Sequence, residues 1–269
     1  MEVTFGVHTG PANTTAGELT GLWRRIEQMP FDWISIWDHF YSADGHSTRC
    51  FEGVAAHAAL ATSTERVRCG SLVYCAAYRH PAVLANAMAT IDHFSGGRCE
   101  VGIGAGWDQQ EFAVHGIEFP SAGRRLDRLD EYAAVWKGLL GGSAFDFSGE
   151  YYQIDGAVCD PAPLQSPLPL WIGGGGEKRT LGIVAKHADG WNVPFISPRD
   201  YAHKNRVLDE QCTSVDRDPA AVVRSVNVGV APDDASLRRQ FGAISEFVAP
   251  GVLMGSPAEM VEGIVRYAE

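Results

Sequence analysis

The chain has 269 residues, of which 45% are hydrophobic and 30 are glycine, which suits one large α/β domain or two small ones. Its formal net charge is −11 and no run of Lys or Arg occurs, so we expect no binding to nucleic acid or to a membrane surface. We also expect no signal peptide and no membrane span. The six cysteines form no CxxC pair. A cytoplasmic protein with reduced thiols is the simplest expectation.

Strand-like and helix-like segments alternate at short spacing, which is typical of a parallel sheet. Strands are predicted over 3–8, 31–37, 67–74, 99–104, 170–173, 190–193 and 222–230. Helices are predicted over 15–29, 51–62, 81–94 and 122–140, from the glycine run to about 187, from 197 onward, and over 256–269. Pro81 suits a first helical turn, and Ser256 with Glu259 forms a capping box.

One region interrupts this alternation. Residues 143–169 contain a predicted surface hairpin over 145–154 that turns at Ser148-Gly149, followed by a proline-rich stretch. We therefore expect a single barrel domain over 1–269 with 143–169 as an insertion. Only seven barrel strands are counted, and an eighth would follow the final helix. We therefore expect either an incomplete barrel or a last strand in residues that this sequence does not include.

The second strand ends in Asp38 and His39. A histidine beside a carboxylate exchanges protons near neutral pH, and in a barrel of parallel strands the active site forms at the carboxyl ends of the strands. The alternative is a purely local role, in which Asp38 closes an Asx-turn and His39 is a solvated loop residue. The pair alone does not decide between these two interpretations.

Two glycine-rich segments follow strand ends. In Gly102-Ile103-Gly104-Ala105-Gly106-Trp107, bare backbone allows a ligand to approach closely, although a tight turn explains the segment equally well. The run Gly173-Gly174-Gly175-Gly176 opens a helix and is typical of a phosphate-binding turn. Lys178 and Arg179 next to it either face an anionic group or are solvated. Neither the GxGxxG fingerprint nor the Walker pattern is present.

Aromatic residues also gather at strand ends. Trp37, Trp107 and Trp191 each lie at or beside such an end, which predicts a wall for a flat ring. We expect Trp107, Tyr41 and Phe195 to line an apolar substrate pocket. The histidines have no metal-site spacing and no Gly-x-Ser-x-Gly elbow occurs, so neither a metal centre nor a serine hydrolase is predicted.

Taken together, these residues resemble the luciferase-like monooxygenase superfamily, in its deazaflavin-dependent oxidoreductase branch. The resemblance covers nearly the whole chain and rests on many motifs in one order. They are Trp37-Asp38-His39-Phe40, Tyr78-Arg79-His80-Pro81, Ser95-Gly96-Gly97-Arg98, Gly102 to Trp107 with Glu111-Phe112, Leu129-Asp130-Glu131-Tyr132, Phe147-Ser148-Gly149-Glu150-Tyr151-Tyr152, Leu170 to Gly176 and Ala188-Asp189-Gly190-Trp191-Asn192.

The resemblance implies an α/β fold of the TIM (β/α)8 type that binds coenzyme F420, or alternatively FMN, at its C-terminal rim. It implies that Asp38 and His39 lie at the reactive ring as catalytic residues, with His39 as proton donor or acceptor. The bulged third strand is implied to contain a cis peptide at Leu72-Val73. The residues implied to contact the cofactor are Asp38, Leu72, Val73, Cys75, Ala105, Gly106, Gln110, Gly173, Gly174, Gly175 and Gly176.

The leading functional interpretation is an F420-dependent oxidoreductase that transfers a hydride between the cofactor and a small organic substrate. The alternatives are an FMN-dependent luciferase-like monooxygenase and a non-catalytic flavin-binding relative. In the deazaflavin sugar-phosphate dehydrogenases a catalytic glutamate takes the position of Trp107, and a tryptophan the position of Ala43. This departure argues against sugar-phosphate oxidation. The resemblance also implies a homodimer.

Overall fold

The structure, a computed structural model, describes residues 3–42 and 49–268. The strands in chain order are β1 (Gly6–His8), β2 (Trp33–Ile36), β3 (Arg68–Cys75), β4 (Cys99–Gly104), β5 (Phe145–Ser148), β6 (Gln153–Ala157), β7 (Leu170–Gly173), β8 (Gly190–Pro194), β9 (Val223–Asn227), β10 (Gly229–Ala231) and β11 (Val252–Met254). Seven of them form a parallel sheet in the order β1-β2-β3-β4-β7-β8-β9. The predicted α/β fold with seven barrel strands is confirmed.

Helices connect the strands and cover the outside of the sheet. They are α1 (Ala16–Glu27), α2 (Gly53–Ser63), α3 (Pro81–Ser95), α4 (Gln109–Val114), α5 (Ala122–Leu139), α6 (Thr180–His187), α7 (Pro198–Ser214), α8 (Asp234–Phe241), α9 (Ser245–Val248) and α10 (Pro257–Ala268). The sequence analysis identified neither the short helix α4 nor α8 and α9. Each of these three has at most eight residues, which is too short for a clear apolar period.

A short strand, β11, follows the seven barrel strands in the chain and forms a separate two-stranded sheet with β10. The predicted strand over 222–230 divides at Val228 into β9 and β10, and β10 pairs in parallel with β11. The sequence analysis expected an eighth strand only after the final helix, whereas β11 precedes it. Three residues are too few for an alternating pattern, so β11 gave no signal. Within the described ranges, no strand pairing joins β11 to β1, so the barrel is nearly closed.

The insertion contains the expected hairpin. β5 and β6 pair antiparallel, and the residues between them are 149–152, one residue later than the Ser148-Gly149 turn that was predicted. The Glu131 carboxylate of α5 accepts the N–H groups of Glu150 and Tyr151 at 2.7 and 2.9 Å. The hairpin is therefore attached to α5.

Local sequence signals set several helix ends. Pro81 occupies the first turn of α3, and Gly96 ends that helix in the left-handed conformation at φ 67°, as glycine readily does. Before α10, the hydroxyl of Ser256 donates to the Glu259 carboxylate at 2.7 Å, and the Glu259 N–H donates back to Ser256 at 3.4 Å. This capping box was predicted and is confirmed.

One large apolar core lies between the seven-stranded sheet and its helices. Every residue of β4 is buried, as expected for a parallel strand covered on both faces. A second, small core forms around Ala231, Leu237 and Val248, with Phe195 and Phe241 packed against it. All predicted site residues except Phe195, which follows β8, lie at the rim formed by the carboxyl ends of β2, β3, β4 and β7.

Candidate active site

His39 and Glu111 meet at this rim. His39 follows β2, and Glu111 lies in the first turn of α4, whose N-cap Asp108 accepts the N–H groups of Gln110 and Glu111 at 3.0 and 3.2 Å. The His39 Nδ1 atom is 2.8 Å from Glu111 Oε2. The Glu111 side chain is 2% exposed and the imidazole 20% exposed, so the buried carboxylate holds a ring that still reaches the surface.

The Glu111 carboxylate accepts three further hydrogen bonds. The N–H groups of Phe40 and Tyr41 donate to Oε1 at 2.9 and 3.0 Å, and the Tyr78 hydroxyl donates to Oε2 at 2.9 Å. Burial raises the pKa of Glu111, but the bonds from His39, Tyr41 and Tyr78 outweigh it, and the net pKa is below the ordinary value. Glu111 is therefore an anion at neutral pH and accepts the Nδ1–H of His39.

Aromatic rings surround the imidazole. The ring centroids of Trp107 and Trp37 lie 5.6 and 6.4 Å from that of His39, both edge-on. Trp107 is 63% exposed, an unusual state for so large an apolar side chain. Tyr41, the second predicted pocket residue, lies 5.3 Å from the ring of His115. Trp107 and Trp37 therefore flank the His39 imidazole, whereas Tyr41 packs against His115.

A second imidazole lies beside Trp37. His8, at the end of β1, contacts the Trp37 ring at 5.8 Å, and its Nδ1 is 2.8 Å from the Ser35 hydroxyl. Burial, together with the charge of His39, lowers the pKa of His8 to about 4. His8 is neutral at physiological pH. The sequence analysis treated it only as a strand residue, although its place at a strand's carboxyl end was a usable signal.

Asp38 points away from His39 into the protein. Its carboxylate forms two hydrogen bonds with the Arg79 guanidinium, at 2.6 and 2.8 Å, and accepts the Cys75 N–H at 3.0 Å. Arg79 also pairs with Glu52. Asp38 is only 5% exposed. Asp38 and Cys75, both predicted to contact the cofactor, are thus neighbours, because the Cys75 backbone N–H donates to the Asp38 carboxylate.

The glycines after β4 and β7 make room for one side chain of β3. The peptide between Leu72 and Val73 is cis, as the resemblance implied, and the β3–β4 register shifts there. A Cβ atom added to Gly104 or Gly173 would lie 2.7 Å from a Val73 methyl group, and one added to Gly102 would lie 2.9 Å away. These glycines therefore serve packing at the bulge as well as any approach of a ligand.

The three residues after β4 that were predicted to contact the cofactor, Ala105, Gly106 and Gln110, differ in their burial. Gly106 has φ 81°, and an added Cβ would lie 2.8 Å from the Phe112 ring and 2.9 Å from the Cys75 Sγ. Ala105 is half-buried and Gln110 is exposed at the start of α4. Gly106 closes the distance between the β3 end and α4, which brings Trp107 beside His39.

The tetraglycine turn lies next to this segment, since the Gly173 carbonyl oxygen is 3.9 Å from where a Gly104 Cβ would be. Its carbonyls are engaged: Trp191 Nε1 donates to Gly174 at 2.8 Å and Lys204 Nζ to Gly175 at 2.7 Å. Within residues 3–42 and 49–268, no acceptor faces the N–H groups of Gly175 and Gly176. These N–H groups lie four and five residues before α6 begins at Thr180, a position where free amides and a helix N-terminus favour an anion.

Two predicted aromatic residues lie elsewhere. Trp191 is fully buried, stacks on Tyr201 at 5.8 Å and bonds to the Gly174 carbonyl. The prediction that Trp191 faces a flat ring is wrong, because β8 is buried on both faces. Phe195 has φ 53° and packs 5.7 Å from Phe241 in the small core, so its half-buried ring serves that core.

The described parts of the chain contain no group of three His, Cys, Asp or Glu side chains placed to hold a metal ion. Among the same residues, no helix is both long and apolar enough to span a bilayer. All six cysteines are free thiols. Among the described residues of the rim, the groups placed for chemistry include the His39–Glu111 pair, the aromatic rings beside it and the backbone N–H groups of the tetraglycine turn.

Known proteins share this architecture. An uncharacterized protein of Mycobacterium tuberculosis is 28% identical over 208 residues, which cover 77% of this chain and 70% of that protein. The F420-dependent glucose-6-phosphate dehydrogenase of Amycolatopsis mediterranei is 33% identical over 173 residues, 64% of this chain and 50% of that enzyme. An F420-dependent secondary alcohol dehydrogenase, solved with an F420-acetone adduct, has a TM-score of 0.89 at 20% identity and covers 100% of this chain and 90% of its own. That last likeness concerns the fold.

The comparison at the level of families is more direct. The model of the luciferase-like monooxygenase family matches residues 2–269, almost the entire sequence and every element of the rim. The parallel strand order and the bulge with its cis peptide at Leu72-Val73 agree with what the resemblance implied. The chain belongs to the luciferase-like monooxygenase family.

Proposed function

We propose that the chain is an F420-dependent oxidoreductase that moves a hydride between the deazaflavin and a small organic substrate, with His39 handling the proton. The observation that carries this proposal is the His39–Glu111 pair, whose Nδ1 and Oε2 atoms are 2.8 Å apart. The carboxylate is buried, while the imidazole is partly exposed beside the exposed Trp107. Relatives that are named F420-dependent dehydrogenases support the choice of cofactor.

The residues of the rim fit such a cofactor. The N–H groups of Gly175 and Gly176 and the start of α6 offer a site for its phosphate, since amides and a helix N-terminus favour anions. The backbone at Leu72, Val73, Ala105 and Gly106 would hold the ring between this turn and His39. When bound, the deazaflavin supplies the carbon that takes or gives the hydride.

His39 acts through its Nε2 atom. Because the ionised Glu111 fixes Nδ1–H, Nε2 is the position at which a substrate oxygen gains or loses a proton. We assign Asp38 a positioning role. Its oxygens are taken by Arg79 and the Cys75 N–H, so it fixes the backbone next to His39 rather than contacting substrate.

The substrate should be uncharged. Arg79, the cation beside Asp38, is held by two carboxylates and is not available to an anionic substrate. Trp107, at the position of the sugar-phosphate dehydrogenases' glutamate, presents an apolar ring next to His39. A small alcohol or carbonyl compound suits this environment.

Titration of the purified protein tests the cofactor. We expect quenching of F420 fluorescence with saturable binding, and weaker or no binding of FMN. The His39→Asn variant should bind F420 with unchanged affinity and lose roughly 10²- to 10⁴-fold in kcat. Tight binding of FMN without F420 would favour the monooxygenase alternative. Binding of F420 without turnover on a broad panel of alcohols and carbonyls would favour the non-catalytic alternative.

We further infer a homodimer of cytoplasmic single-domain chains. α2 has no charged side chain, yet Ala55 is exposed and Val54 and Ala58 are half-buried. On α3, Val83 and Phe94 are 62% and 67% exposed. A second copy would bury this α2–α3 face, and six free thiols suit a reducing compartment.

Light scattering of the eluted protein tests this inference. The wild-type chain should have twice the monomer mass, and Val83→Glu should reduce the mass to that of one chain. Val261→Glu is the matched control, because Val261 on α10 is equally exposed at 60%. A monomeric wild-type protein would contradict the homodimer and leave the catalytic proposal intact.

A further inference from the structure

A row of basic side chains follows one face of α7. Arg199, His203 and Arg206 stand at helical spacings of four and three residues, so they share one side of the helix. With Ser197 and Asp200 they line an open recess of about 530 Å³. We call Arg199, His203 and Arg206 the basic face.

The basic face adjoins the tetraglycine turn. His203 Nε2 lies 3.3 Å from Glu177 Oε1, and Glu177 directly follows the four glycines. Lys204 bonds to the same carboxylate at 3.0 Å and to the Gly175 carbonyl at 2.7 Å. The tetraglycine turn, which carries the N–H groups of Gly175 and Gly176, therefore lies directly against α7.

Three cationic side chains of this region form no ion pair with any residue that the structure describes and can therefore bind an anion. In the part of the chain that the structure describes, neither Arg199 nor Arg206 has a carboxylate within ion-pair distance, and nor does the exposed Lys178. The carboxylate of the recess, Asp200, accepts the Ser197 hydroxyl at 2.7 Å at the start of α7. The chain as a whole carries −11, so it repels polyanions at long range and needs local cations to hold one.

We propose that the basic face binds the oligoglutamate tail of F420. This inference rests on the proposed function. In F420 a chain of glutamates follows the phosphate and carries one carboxylate for each glutamate and one more at its end. With the phosphate at Gly175 and Gly176, the tail leaves the rim beside Glu177 and passes over α7. FMN ends at its phosphate and gains nothing from this face.

Three ligands separate the contributions. They are the deazaflavin without phosphate, the phospholactyl form without glutamates, and F420 with about five glutamates. At low salt we expect F420 to bind about tenfold more tightly than the form without glutamates, a factor typical of a few exposed ion pairs. At roughly 0.5 M salt, where screening is strong, the two affinities should become equal.

The double variant Arg199→Gln/Arg206→Gln tests the residues. It should reduce the tenfold difference to about twofold or less, since each exposed pair is worth up to a few-fold. Its affinity for the form without glutamates should be unchanged, which also shows that it folds. Arg24→Gln is the matched control, an exposed arginine on α1, and should keep the full difference.

The outcomes are distinguishable. If both phosphorylated forms bind equally tightly at low salt, or the double variant keeps the difference, the tail site is refuted and the F420 proposal stands. If none of the three deazaflavins binds, both proposals fail.

Discussion

The imidazole of His39 and the carboxylate of Glu111 are 2.8 Å apart, although 72 positions separate them in the chain. One carboxylate oxygen faces the ring and the Tyr78 hydroxyl, and the other accepts the N–H groups of Phe40 and Tyr41. Glu111 thus fixes both the tautomer of His39 and the backbone that follows it.

Glu111→Gln should separate positioning from binding. The amide keeps the size of the side chain but removes the negative charge that favours Nδ1–H on His39. We expect kcat to fall roughly 10²-fold, with F420 affinity changed less than about twofold, since Glu111 does not line the phosphate site. Steady-state kinetics and fluorescence titration measure the two effects. Unchanged kcat would refute the assignment.

Tyr78→Phe should move the acid limb of activity. The Tyr78 hydroxyl helps to lower the pKa of Glu111, so its removal raises that pKa. The active form requires the ionised carboxylate, and activity is lost as pH falls through its pKa. The acid limb of the kcat profile should therefore shift to higher pH, while kcat at pH 8 stays close to wild type. A shift to lower pH would contradict this account.

Asp38→Ala should destabilise the fold. The change leaves the Arg79 guanidinium, which is 17% exposed, without its two-bond partner, and loss of one member of a buried pair costs about 3–5 kcal/mol. Urea unfolding measures the free energy. Arg79→Lys should lose less free energy of unfolding, since a lysine keeps the positive charge although it cannot form the two parallel hydrogen bonds of the guanidinium. If Asp38→Ala lost activity at full stability, Asp38 would act on substrate instead.

Gly173→Ala should strain the barrel at the Val73 bulge. The new methyl group would lie 2.7 Å from a Val73 methyl carbon, and overpacking of this kind costs about 1–3 kcal/mol. The double variant Gly173→Ala/Val73→Ala removes the clash and should recover part of the lost melting temperature. Gly21→Ala on α1 meets no atom within 4 Å and should be neutral or stabilising.

The protein should lose stability between pH 6.5 and pH 4. Burial lowers the pKa of His8 and of His57 from 6.5 to about 4. Between pH 6.5 and pH 4 both imidazoles remain neutral in the folded chain, whereas the unfolded chain binds their protons. The free energy of unfolding therefore decreases as the pH is lowered, by at most about 2.7 kcal/mol per pH unit for the two groups together. Denaturant unfolding at several pH values measures the slope. His8→Asn should lower it by up to half, and an unchanged slope would rule His8 out.

The sequence was sufficient for the seven main strands, because parallel strands and helices alternate with clear periods and sharp stop signals such as Gly96. The bulge at Val73 came from the family resemblance and is confirmed. β11 could not be found in this way, since three residues carry no period. The short helix α4 was not identified for the same reason, since six residues also show no clear period. The position of Glu111 on that helix was therefore not predicted.

The site was only partly predictable, for a different reason. Pairing of His39 with Glu111 and of Asp38 with Arg79 depends on how distant loops meet, which spacing along the chain does not encode. Trp191 was misplaced because a strand end does not reveal which face of the strand is buried. The glycines after β4 and β7 had a second role, accommodating Val73, that only the packing reveals.

The division of the seventh strand at Val228 has a consequence for how the molecule tolerates change. Residues around Ala231, Leu237 and Val248 fill a core of their own, so we expect mutations there to disturb the large core between the sheet and its helices only weakly. We therefore expect substitutions and insertions between β10 and β11 to change the mouth of the barrel while the His39–Glu111 pair keeps its geometry.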